Sequence, residues 1–168
     1  MTIESWLELL SNTALAIEIR EGESWFPFFE SIHVLSICLV FGTIALIDFR
    51  LLGWGSRDRL ISKLCRAVLP LTWSAFGLAA CSGLLLFCSN ALTYAGNIWF
   101  IAKFAFIGLA GLNMLIFQMV VFKHVQSWDA WATPPASARR AGLLSLIFWV
   151  AVITCGRWVG FTLQPGMD

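Results

Sequence analysis

Long apolar runs alternate with short polar stretches along the chain, and a bilayer core of about 30 Å asks for roughly 20 apolar helical residues. Charge-poor runs of that length cover residues 26–47, 69–92, 98–122 and 141–163. Pro27 suits the first turn of a helix, where its missing N–H costs nothing, and Asp48 and Arg50 close the first run. No charged residue lies between Arg66 and Lys103, a stretch too long for one span and interrupted by Ser89, Asn90, Tyr94, Gly96 and Asn97. It predicts a hairpin of two spans. A polar loop from Lys123 to Arg140, with the helix-breaking Pro134 and Pro135, leads to the fourth. Ahead of the first run, Ile3, Trp6, Leu7, Leu10, Ala14 and Ile17 recur at helical spacing, with Glu4, Glu8, Ser11 and Asn12 around the rest of the wheel. That pattern predicts an amphipathic helix lying in the membrane interface. The expected organisation is an interfacial segment over 1–24 and an all-α integral membrane domain over 25–168, a four-transmembrane-helix bundle, because lipid admits neither bare loops nor open sheet edges.

Composition agrees. The 168 residues are 59% hydrophobic and 12% charged, with a mean hydropathy of +0.81; a water-soluble fold of this size would lack the polar surface to cover itself. Eleven basic residues against ten acidic ones leave a net charge of +1, which points away from nucleic acid as a partner. The five cysteines are an odd count, and Cys38, Cys81, Cys88 and Cys155 sit inside apolar runs, so they do not read as a disulfide framework. Glu4, Glu8, Glu18, Glu21 and Glu23 against Arg20 do not make the basic start of a signal peptide, and the N-terminus is expected to be retained.

Charge also sets an expected orientation. Arg50, Arg57, Arg59, Lys63, Arg66, Lys123, Arg139 and Arg140 lie in or beside the connections after spans one and three. By the positive-inside rule these connections are cytoplasmic and both termini lie outside, in the periplasm of a bacterium if the membrane is an inner one. Trp25, Trp99, Trp158, Trp128 and Trp131 fall near span ends and read as interfacial anchors.

A charge at the centre of a span costs roughly 2.5–3.5 kcal/mol on even the lower scales, so each one calls for an explanation. Glu30 and His33 are three apart on span one, Lys103 lies a little way into span three, and Arg157 lies shortly before the end of span four. All four belong to the outer half of the bundle and are expected to converge there. One reading makes them a helix-register device, with Lys103 and Arg157 snorkelling to headgroups and Glu30 pairing with one of them. The other makes them a ligand-binding or proton-handling pocket, for which an imidazole that titrates near neutrality is suited. The pairing reading also predicts that Glu30→Gln costs more stability than His33→Ala. Asp48 and Arg50 read as a clamp at the cytoplasmic interface.

Cofactor chemistry has weaker candidates. Cys38, Cys81 and Cys155 fall at similar depth on three spans and, with His33 one turn above, are the candidate soft ligands for copper. Haem held by both histidines is disfavoured because His33 and His124 lie at opposite membrane faces, whereas haem on His33 alone, with Lys103 and Arg157 at its propionates, fits the same geometry. Ala79, Gly83, Gly108, Gly111 and Asn113 read as small and amide residues for close helix contact. Walker, GxSxG, HExxH and paired-carboxylate signatures do not occur, so hydrolase and nucleotide chemistry have no residues to run on.

The run ESIHVLSICLVFGTIALIDFRLLG, with PLTWSAFGLAACSGLLLF, FIAKFAFIGLAGLNMLIF and ARRAGLLSLIFWVAVITCGRW, resembles a bacterial family of four-span inner-membrane proteins of unknown function, distantly akin to the membrane domain of copper-resistance D proteins. The resemblance covers residues 25–161 and takes in E-x-x-H at Glu30 and His33, D-x-R at Asp48 and Arg50, F-x-x-K at Lys103 and G-R at Arg157. It implies the four-helix fold, and copper only through the distant kinship. The expected function is a small-ligand-binding or partner-docking membrane module. A haem- or copper-binding protein, a small transporter, and an accessory subunit joined to a membrane partner or to a second copy are the alternatives.

Overall fold

The computed structural model of the chain describes residues 2–54, 60–129 and 133–162. Among them every regular element is a helix: α1 (Ile3–Ser11), α2 (Ala14–Glu21), α3 (Trp25–Leu51), α4 (Ile61–Ser89), the short α5 (Ala91–Ala95), α6 (Ile98–Ile116) and α7 (Ala136–Thr162). A π turn over Phe117–Val121 and a 3₁₀ segment over Phe122–Ser127 prolong α6. The prolonged α6 and the helices α3, α4 and α7 are each long and apolar enough to cross a membrane. The protein is an all-α, multi-pass membrane bundle, and outward side chains such as Leu35, Leu84, Ile98 and Met119 meet lipid.

α3 and α6 run from the end of the bundle that carries α1, α2 and α5, here the terminal end, to the opposite loop end; α4 and α7 return. α3 packs against both α4 and α7, and α6 packs against α7, so two antiparallel pairs are joined through the α3–α7 seam. Between α4 and α6 the stacked rings of Phe87 and Phe100, with centroids 5.4 Å apart, make a contact near the terminal end. The α3–α4 seam follows helical spacing on both sides: Ser36, Val40, Thr43 and Ile47 face Thr72, Ala75, Ala79 and Ser82, all buried. Small side chains bring the backbones close, and Thr72 donates a 2.9 Å hydrogen bond to Thr43 across the seam.

Asn97 starts α6 by accepting hydrogen bonds from the N–H groups of Trp99 and Phe100, which is why the predicted hairpin turns there. At the loop end, Asp129 reaches from the α6–α7 connection to the first turn of α4, where it accepts from the Ser62 N–H at 3.0 Å and from the Ser62 hydroxyl. A carboxylate at the positive end of a helix is favoured, and this one ties two connections together.

Three expectations need correcting. The single amphipathic helix through Ile17 is two helices: Asn12 ends α1, and the Thr13 hydroxyl caps α2 by accepting from the Ala16 N–H. α2 also docks on the bundle. Its Ala16 and Ile19 are buried, and Arg20 donates to the Ser89 carbonyl at the end of α4. Trp128 is no interfacial anchor but 4% exposed, in a core with Ile47, Leu51, Ile61, Cys65, Val125 and Ala138. Gly108 and Gly111 serve no close contact, since a Cβ on either would meet open space. Arg57, Arg59 and Trp131, and the end of the predicted fourth span at 163, lie outside the described residues.

Candidate functional site

His33 is held in the α3–α4 seam. Its Nδ1 lies 2.8 Å from the Ala79 carbonyl and 3.2 Å from the Ser82 hydroxyl. A carbonyl only accepts, so Nδ1 carries a proton and donates it, and a neutral ring keeps its lone pair on Nε2. Among the described residues Nε2 has no hydrogen-bond partner. Gly83 gives the ring its seat, because a Cβ there would come 2.7 Å from Cε1.

Lys103, one turn and a half into α6, lies across α7 at another glycine. A Cβ on Gly156 would be 3.7 Å from the ammonium and 3.8 Å from Cδ and Cε. The half-buried ammonium makes no hydrogen bond or ion pair among the described residues. Its charge is felt at His33 and it lies close to Cys155, which is buried. A cation and an imidazole therefore share the interior of the terminal half without a carboxylate between them.

Glu30 and Arg157 stay outside this interior. Glu30 is exposed and borders a surface groove with Ser31, Val34 and Leu35. Arg157 is exposed too, its guanidinium 4.5 Å from the centre of the Phe161 ring one turn on. Both belong to helix ends, where a long side chain reaches the interface at less cost than a buried pair would carry. The expected four-residue convergence is thus reduced to His33 and Lys103.

Tyr94, on α5, was read from the sequence only as part of the hairpin break and not as a site residue. It packs against Phe100 and Phe87, with centroids 5.6 and 6.4 Å away. Burial first, and the Glu30 carboxylate second, push its phenol above the ordinary tyrosine value. A folded-state value raised above the unfolded one adds stability that is complete below about pH 10 and is lost as pH rises through the folded value. Because this is the one tyrosine in the chain, an absorbance titration reads it directly. Glu30→Gln should lower the midpoint, and an unchanged midpoint would show that Glu30 does not act on it.

At the loop end Asp48 and Arg50, the expected clamp, are 5% and 3% exposed, buried between the helices. α7 passes so close that a Cβ on Gly142 would stand 3.1 Å from the Asp48 carbonyl oxygen, and Ser145 is within reach of the Asp48 carboxyl. The copper candidates are not brought together. Cys38 and Cys81 are exposed and Cys155 is buried, and among the described residues no group of three or more His, Cys, Asp or Glu is placed to hold a metal. In comparisons with protein-family models, curated proteins and solved structures, nothing matched the chain.

Proposed function

We propose that this membrane protein binds a small anion that also carries a hydroxyl, a hydroxycarboxylate or hydrogen phosphate, in the terminal half of its bundle, with the Lys103 ammonium as charge partner and His33 Nε2 accepting a hydrogen bond from that hydroxyl. Lys103 carries the reading: it is an ammonium within an apolar span, seated on Gly156, with no anionic partner among the described residues. Intramembrane charges are costly and mark ligand or ion pathways by default. The orientation expected from the basic connections puts this half toward the periplasm of a bacterial inner membrane, in keeping with the resemblance of residues 25–161 to such proteins.

Calorimetric titration of the detergent-solubilised protein with a panel of small carboxylates and inorganic phosphate tests the reading. At least one should bind, and Lys103→Met should weaken it tenfold or more, about 1.4 kcal/mol. If no anion binds, or if Lys103→Met binds as well as the parent, the reading falls and an accessory structural role takes its place.

The His33 geometry favours haem as a second reading. An Nδ1–H fixed on a carbonyl with Nε2 open is the arrangement that sets a histidine as an axial ligand, and Lys103 would face a propionate. An absorption spectrum after purification from haem-supplemented cells decides it: a Soret band lost in His33→Ala supports haem, and its absence from the parent protein removes it.

A further inference from the structure

At the loop end, remote from Lys103, a groove of about 260 Å³ opens between the end of α3 and the first turns of α7, lined by Leu52, Ala136, Arg139, Arg140 and Leu143. From this groove, whose wall is almost wholly apolar, we infer a binding site for one anionic phospholipid, its acyl carbons lying in the groove and over Leu143 and its headgroup phosphate met by the exposed guanidiniums of Arg139 and Arg140.

Charge comes first. Arg139 and Arg140 are exposed, and neither makes an ion pair or a side-chain hydrogen bond among the described residues. Two neighbouring guanidiniums offer forked N–H donors that match phosphate oxygens. Backbone adds to them. α7 begins at Ala136, so the positive end of its helix dipole lies beside the two arginines.

Polarity then changes along α7 as it does through a membrane interface. Leu143, one turn deeper than the arginines, is 50% exposed, and Leu144 and Ile147 beyond it are exposed as well. A free phosphate ion would use the arginines alone and leave this apolar wall unexplained, whereas a phospholipid uses both. Basic residues at membrane-facing helix ends attract anionic lipid headgroups by the same electrostatics.

Native mass spectrometry of the full chain, released from mixed micelles of phosphatidylglycerol and phosphatidylcholine, tests the site. The parent should retain one phosphatidylglycerol in preference to phosphatidylcholine. Arg139→Gln with Arg140→Gln should lose that preference at least tenfold, and Arg139→Lys with Arg140→Lys should keep part of it. Lys63→Gln with Arg66→Gln, which removes two exposed charges from the same end of the bundle, should leave it within twofold. Equal loss in that control would mean diffuse surface charge and would overturn the site. So would retention in the double glutamine variant, or displacement of the lipid by millimolar inorganic phosphate. Circular dichroism of each variant separates loss of binding from loss of fold. None of these outcomes depends on Lys103, so failure here and failure of the anion site are told apart.

Discussion

Gly142→Leu should separate the two halves of the bundle. The α3–α7 seam joins the α3–α4 pair to the α6–α7 pair, and Gly142 is buried within it. A Cβ at this position would already stand 3.1 Å from both the Asp48 carbonyl oxygen and Leu51 Cβ, and 3.6 Å from Asp48 Cα. Two of these three neighbours are backbone atoms of a continuous helix, so they yield only if α3 moves as a body. Alanine and leucine should then differ. Gly→Ala recovers about 1 kcal/mol of helix propensity, which offsets much of the cost of shifting α3 by a few tenths of an ångström. Leucine adds three further carbons with nowhere to go, and overpacking of that kind costs typically 1–3 kcal/mol and occasionally more. Gly142→Ala is therefore expected within about 1 kcal/mol of the parent in thermal or denaturant unfolding in detergent, and Gly142→Leu is expected to lose 2 kcal/mol or more. Gly108→Leu, at a glycine whose Cβ would meet open space, is the matched control and should be near neutral. Equal stability of the two leucine variants would show that α3 and α7 are not in backbone contact at Gly142.

Hydropathy made the four membrane helices legible because a span is a property of local composition: a long uncharged run has few other stable places to be. It marks where lipid begins rather than where a helix does. α4 starts at Ile61 and α7 at Ala136, each with basic residues in its first turns, since a helix continues into the interface once Lys63, Arg66, Arg139 and Arg140 can sit in water. Trp128 and Asp129 were opaque for a different reason. One fills a core and the other caps a distant helix, and both roles depend on where the α6–α7 connection lies in space.

Lys103 and His33 could be read because a charge or an imidazole inside a span stands out by depth alone. Depth does not give rotation about the helix axis. The spacing of Glu30 and His33 placed them near one face, but α4 covers His33 through Ala79 and Ser82 while Glu30, one turn closer to the helix end, remains exposed. Likewise the depth of Arg157 agreed with that of Lys103, yet it lies over Phe161. Only the glycines carried a trace of the pairing. Gly83 and Gly156 are the seats of the imidazole and the ammonium, and a sequence that shows a glycine does not show what rests on it.

That geometry reverses the order of stability expected from a buried Glu30 pair. Glu30 is exposed and makes no ion pair or hydrogen bond with a described residue, so Glu30→Gln should fall within the usual ±0.5 kcal/mol of surface substitutions. His33→Ala removes the ring that fills the space over Gly83 and leaves the Ala79 carbonyl without its interhelical donor. Hydrogen bonds between membrane helices average only about 0.6 kcal/mol, so the greater part of the loss comes from the cavity. Together they set an expected loss of about 2 kcal/mol for His33→Ala. His33→Phe, which keeps most of the volume and loses the bond, should cost about 0.6 kcal/mol plus any misfit. A double-mutant cycle with Ser82→Ala then separates the terms. Coupling of a few tenths of a kcal/mol or more places His33 on Ser82, as the 3.2 Å contact requires, and additivity would mean that the contact carries no energy. These measurements are made without ligand, so they read the packing of the seam alone. If Glu30→Gln proved the more destabilising, Glu30 would have to hold an ion pair, and were its partner Lys103 the ammonium would no longer be available to an anion and the proposed site would lose its charge partner.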